Sequence, residues 1–156
     1  MIRVCKEEEY SVLIEILRSS FAPSSIDKRI EEKFGKVIGF DWWERKAVDV
    51  MKQVEDFPGG VYVEELEGKI TGFITTYVDR KFSTGRICTL AIRPKHQGKG
   101  IGTRLIIHAL KIFKEEKLKL ARIEVLEENK GAYKLYKKFG FEPVASNVNM
   151  ARKIDK

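Results

Sequence analysis

Six consecutive residues, Gln97-Gly98-Lys99-Gly100-Ile101-Gly102, have the make-up of a phosphate cradle. Glycine lets a backbone turn sharply and come close to a ligand. The segment follows an apolar run stopped by Pro94. It precedes a stretch with Leu105, Ala109, Ile112 and Phe113 on one helical face. A helix starting there offers free N–H groups and the positive end of its dipole to an anion, and a pyrophosphate suits that end. Lys95, Lys99, Thr103 and Arg104 add donors and positive charge. Two common phosphate motifs are excluded by spacing. The P-loop pattern G-x-x-x-x-G-K-S/T is absent. The dinucleotide pattern G-x-G-x-x-G fails in both frames, because Thr103 and Leu105 stand where its last glycine belongs.

Two further residue types carry proton chemistry. Glu124 lies within Ala121-Arg122-Ile123-Glu124-Val125-Leu126, which reads as a strand. A carboxylate buried in a strand is costly unless it is paired or functional. A surface glutamate beside Arg122 is the other reading. Tyr136 shares an apolar face with Ala132, Leu135 and Phe139, so on pattern alone it is a core tyrosine.

The elements that must position these residues follow from periodicity. Ile2–Cys5 reads as a short strand and Lys6–Ser19 as a helix, with Val12, Leu13, Ile16 and Leu17 inward. Ser24 or Ser25 is placed to cap a second helix running to Phe34. Asp41 is placed to cap a third, with Trp42, Val48, Met51 and Val54 recurring at helical period. Phe57-Pro58-Gly59-Gly60 ends this region. Strands are expected at Val61–Leu66, Lys69–Asp79 and Arg86–Ile92, with Glu67-Gly68 turning the first pair. A helix to Lys117, the Ala121–Leu126 strand and a helix over Lys130–Lys138 closed by Gly140 come next. Phe141–Val144 and Val148–Ile154 read as a final strand pair. The order makes one α/β or α+β domain over residues 1–156. Residues 24–57 form a helical region of it, and residues 86–141 form the unit around the glycine loop.

Q-x-x-G-x-G, after a strand stopped by proline and at the start of a helix, resembles the acetyl-CoA pyrophosphate motif of the GNAT superfamily of N-acetyltransferases. Downstream, Asn129 and then Leu135-Tyr136-Lys137-Lys138-Phe139-Gly140-Phe141 resemble its second signature, N…LY-x-x-x-GF. The resemblance spans about Val61 to Phe141, and it implies that residues 24–57 are the acceptor-side region and residues 86–141 the acetyl-CoA-binding core. It implies a mixed, mostly antiparallel sheet, flanked by helices, in which two parallel strands splay apart around acetyl-CoA. By this resemblance the backbone of Leu90, Ala91 and Ile92 pairs with the pantetheine arm, and one N–H there polarises the thioester carbonyl. Gln97, Gly98, Lys99, Gly100, Ile101, Gly102 and Thr103 hold the pyrophosphate. Asn129 bonds the pantetheine or braces the helix that follows. Tyr136 matches the position of the general acid that protonates the leaving thiolate. Glu124 matches the base of the branch that acetylates protein N-termini.

The implied activity is acetyl transfer from acetyl-CoA, as cosubstrate, to a primary amine by direct attack in a ternary complex. The amine belongs to a small molecule, a protein N-terminus or a lysine. A non-catalytic acetyl-CoA-binding regulatory domain is the alternative. Phe40, Trp42 and Trp43 either line an acceptor pocket or fill the core. Homodimerisation follows by analogy alone.

Composition narrows the remaining classes. The net charge of +7 attracts anions, but a nucleic-acid partner is disfavoured because the aromatics are not interleaved with the basic runs. Cys5 and Cys88 form no disulfide framework, and His96 and His108 make no metal-ligand pattern. No apolar run spans a bilayer, and Glu7, Glu8 and Glu9 exclude a signal peptide. A reducing cytoplasm fits these features. Charged residues reach 34%. The amides are confined to Gln53, Gln97, Asn129, Asn147 and Asn149, the bias of thermophile proteins.

Overall fold

The computed structural model describes residues 1–21, 23 and 25–154. Its framework is a five-stranded sheet in the order β1-β2-β3-β4-β5, from β1 (Ile2–Val4), β2 (Val61–Leu66), β3 (Lys69–Asp79), β4 (Thr84–Ile92) and β5 (Leu120–Ile123). All neighbouring strands are antiparallel except β4 and β5, which run parallel. The fold class is the mixed, mostly antiparallel sheet with one parallel pair that the resemblance implied.

Helices cover both faces. On one face lie α1 (Tyr10–Ser20) and α3 (Trp42–Asp56). Their buried Leu13, Ile16, Leu17, Val50 and Val54 pack on Val61, Val63, Phe73 and Ala91. On the other face lie α4 (Ile101–Glu115) and α5 (Lys130–Lys138). Leu105, Ile106, Ala109, Phe113 and Tyr136 pack there on Tyr62, Ile74 and Ile87. The alternation of strand side chains sorts the residues between the two cores. Between α1 and α3, α2 (Ile26–Phe34) is capped by Ser25, whose hydroxyl accepts the Lys28 N–H at 3.3 Å. Ser24, the other candidate cap, lies outside the described residues. At the start of α3, Glu44 accepts the Asp41 N–H at 2.7 Å, half of a capping box.

Four expectations are corrected. β4 begins at Thr84, two residues before Arg86. β5 runs from Leu120 to Ile123 instead of Ala121–Leu126, because its ladder with β4 ends at Ile87↔Ile123. Val48 is 68% exposed, since the buried stripe of α3 runs through Trp42, Val50 and Val54. The final strand pair is absent: 141–154 contains no strand. A strand needs a ladder partner, and this segment pairs with none. Val144, Val148, Met150 and Ile154 all stand exposed, and Pro143 has no N–H to donate.

Candidate acetyl-CoA cleft

The cleft begins with one irregularity in β4. Thr75 pairs with Thr89 and Thr76 pairs with Ile87, so Cys88 is an extra residue, a bulge. Ile87 is also the last residue of β4 that β5 follows. Beyond it β4 stays paired to β3 as far as Ile92, while its other edge is left without a strand. Leu90, Ala91 and Ile92 lie on this open edge. Gly72 on β3 backs it. A Cβ there would stand 2.7 Å from Ile92 and 3.0 Å from the Ala91 carbonyl.

The glycine loop continues from the open edge. Pro94–His96 forms a short 3-10 turn, and Gln97 Nε2 donates to the Ile92 carbonyl at 3.2 Å, folding the loop onto the strand end. Gly98 and Gly100 have φ of +75° and +76°, conformations that other residues adopt only with strain. Arg104 is the first residue of α4 whose N–H finds a helix partner, on Gly100 at 3.0 Å. The N–H groups of Ile101, Gly102 and Thr103 therefore face out of the helix end. A Cβ placed on Gly102 would come into ordinary contact with Leu90 at 3.8 Å and Leu135 at 3.9 Å, so the helix start faces both β4 and α5.

Arg104 is braced, and the reading of it as a simple ligand donor missed its partner. Its Nε and Nη2 lie 3.0 and 2.5 Å from Glu64 Oε1, and its Nη1 donates to the Lys99 carbonyl at 3.1 Å. Glu64 is 7% exposed on β2. Its signal in the sequence was an acid inside the apolar run Val61-Tyr62-Val63. Gln53 was missed as well. Its Oε1 accepts from the hydroxyls of Thr75 at 2.7 Å and Thr89 at 2.9 Å, fastening α3 to β3 and β4 beside the bulge.

The ladder between β4 and β5 ends at Ile87 and Ile123, and this point is the vertex of the cleft; the two candidate catalytic residues lie on opposite faces of the sheet. Tyr136 is 8% exposed in the α4/α5 core, edge-on to Phe141 at 6.1 Å. Its hydroxyl has no hydrogen-bond partner among the described residues and is not sealed from solvent. Burial pushes its pKa up to about 12, so the phenol keeps its proton at neutral pH. Glu124 lies just past the end of β5. Its side chain is 70% exposed and pairs with Arg86 at 3.0 Å, so the expected cost of burying it does not arise. Arg86 stands one residue from Ile87, which faces the α4 core, so the pair lies on the α1/α3 side. Asn129 caps α5, its side chain accepting the Ala132 N–H at 3.3 Å. Arg29 of α2 reaches Glu128 at 3.3 Å and joins the helical region to the loop before α5. Trp42 is buried at 8%, its N–H held by Glu31, and Trp43 lies under Arg18. Among the described residues no cluster of His, Cys, Asp and Glu is placed to hold a metal ion, and no helix is long and apolar enough to cross a membrane.

A splayed parallel pair running into a glycine loop at a helix start, followed by a capped helix carrying a tyrosine, is an arrangement that can be matched against known proteins. The acetyltransferase (GNAT) family model covers residues 13–141. The chain belongs to the GNAT family. An uncharacterized N-acetyltransferase of Methanocaldococcus jannaschii is 29% identical over 148 residues, 86% of this chain and 64% of the relative. An N-alpha-acetyltransferase of Sulfurisphaera tokodaii is 27% identical over 105 residues, 60% of this chain and 63% of that one. The chain thus spans less than two thirds of these curated relatives. A PaiA N-acetyltransferase of Thermoplasma acidophilum, solved with coenzyme A, shares the fold at a TM-score of 0.75 and 21% identity, covering 94% of this chain and 92% of that one. Acetyl-CoA is the cosubstrate of GNAT enzymes.

Proposed function

We propose that this GNAT chain binds acetyl-CoA along the open stretch of β4 and transfers the acetyl group to a primary amine by direct attack in a ternary complex. The observation that carries the reading is the continuity of three features. β4 parts from β5 after Ile87, remains paired to β3 to Ile92, and leads straight into the loop whose helix end is free to take a pyrophosphate. The bound cosubstrate supplies an activated acetyl thioester.

The residues of the chain then divide the work. Backbone groups of Leu90, Ala91 and Ile92 hold the pantetheine arm as an added strand, and one N–H stabilises the developing oxyanion. Gln97 through Thr103 hold the pyrophosphate. Tyr136 gives its proton to the departing thiolate. Glu124, on the face reached from α1 and α3, takes the proton of the attacking amine directly or through water. Such help is needed because a lysine amine has a pKa of about 10.4 and an α-amine about 7.7–8.0. The likeness to an archaeal N-alpha-acetyltransferase supports a peptide α-amine among the acceptors. Cys5 and Cys88 are free thiols, which suits a reducing cytoplasm.

Stabilisation against heat by acetyl-CoA, compared with CoA, ATP and NAD, tests the reading. A ligand at about 100 times its dissociation constant adds about 2.7 kcal/mol. The expected result is stabilisation by acetyl-CoA and CoA alone. No effect of either refutes the cleft assignment, and binding without thiol release on any amine assigns the chain a regulatory role instead.

A further inference from the structure

On the α1/α3 face of the cleft several cations have acidic partners, and among the described residues of α1–α3 those that have none, Arg18, Lys33 and Lys52, are exposed, Lys46 excepted. Arg86 is paired with Glu124, Arg29 with Glu128, Arg45 with Asp27 and Arg93 with Glu15. Lys46 of α3 is half-buried, and among the described residues no carboxylate pairs with it. Its ammonium lies 4.9 Å from the centroid of the Phe21 ring, at the end of α1. An aromatic face attracts a cation but does not neutralise it.

The face of α3 sets where Lys46 emerges. Lys46 stands two helical turns before Gln53, on the same face of α3. Gln53 is fastened by two hydroxyls to Thr75 and Thr89, and Thr89 immediately follows the bulge at Cys88. The Cys88 thiol, raised chiefly by burial, feels the charges of Arg86, Glu124 and Lys46 together. Lys46 therefore shares the neighbourhood of the vertex with the ion pair that contains the candidate base. A partly desolvated ammonium without a counter-ion, beside the place where an amine must arrive, attracts an anion carried by the acceptor.

We propose that Lys46 selects the acceptor: its ammonium binds an acidic side chain carried beside the reacting amine, so that acceptors with an acidic side chain are preferred over those with a neutral or basic one. The inference rests on the amine-transfer reading above. Both an acidic peptide N-terminus and a free acidic amino acid carry this chemistry.

The test measures thiol release from acetyl-CoA with tetrapeptides beginning with Asp, Ala or Lys, and with free glutamate, alanine and lysine. It is run on the full chain and on Lys46→Met and Lys46→Glu. In the unaltered protein an acidic acceptor is expected to have a KM about tenfold below its neutral counterpart, as for a hydrogen bond to a charged group. The peptide and amino-acid arms show which source is used. Lys46→Met is expected to abolish the preference, and Lys46→Glu to turn it toward the lysine acceptors. The KM for acetyl-CoA is expected to stay unchanged in both, which also shows that they fold. Turnover without acidic preference, or a preference that survives in Lys46→Met, overturns the proposal alone. Absence of thiol release with every amine, in protein that still binds CoA, overturns the transfer reading with it.

Discussion

At the scale of single residues, Tyr136 and Glu124 are in opposite physical states. Tyr136 is buried, without a hydroxyl partner among the described residues, and held protonated up to about 12. Glu124 is exposed and ion-paired. Tyr136→Phe keeps the packing and removes the proton. Turnover is expected to fall by about 10²-fold or more, the range for a positioned proton donor, with acetyl-CoA binding nearly intact. Steady-state thiol release beside a binding isotherm checks this, and unchanged turnover removes Tyr136 from the acid role. Folding raises this phenol's pKa, so its contribution to stability is full below about 10 and is lost as pH rises through about 12. Glu124→Gln is expected to cost most at low pH, where the amine most needs deprotonating. A rate ratio that is flat with pH counts against the base role.

Between elements, the decisive contacts are polar bridges at the rim of the two cores. Arg104 ties α4 to β2 and to the glycine loop through Glu64 and Lys99. Gln53 ties α3 to β3 and β4 at the bulge. Gln53→Leu leaves two hydroxyls, of which Thr75 is fully buried and Thr89 nearly so, without their acceptor. The expected loss is about 1–3 kcal/mol, because an unsatisfied buried polar group carries its desolvation cost. Adding Thr75→Val and Thr89→Val to Gln53→Leu is expected to recover part of it, since all partners are then apolar. Denaturant midpoints of the single and triple variants make the comparison. Equal stability of the single variant and the parent shows that the bridge carries no stability.

For the whole molecule, the sheet and its two helical layers contain the cleft, and the last residues lie outside them. From Glu142 to Ile154 the chain is exposed throughout. Removing the residues after Phe141 is therefore expected to change stability by less than about 0.5 kcal/mol, the range for surface positions. A thermal melt of the shortened chain measures it. A large loss means that Val148, Met150 and Ile154 pair with the sheet in solution, as their alternation in sequence suggests.

The sequence by itself determined the order of elements as far as α5, the glycine loop and the family. Each is written in local spacing: helical period in α1, α3 and α4, turn residues at Phe57–Gly60 and Glu67-Gly68, and glycines at positions 98 and 100, where φ is positive. The tertiary structure decided where the ladder between β4 and β5 stops, and hence that Glu124 stands exposed beside Arg86. It also decided that Arg104 is spent on Glu64, that Gln53 bridges two strands, and that Lys46 has no carboxylate partner among the described residues. These are contacts between residues far apart in the chain, and a one-dimensional pattern holds no record of which side chain a charge or hydroxyl will meet. Register and burial set that pairing once the sheet has formed.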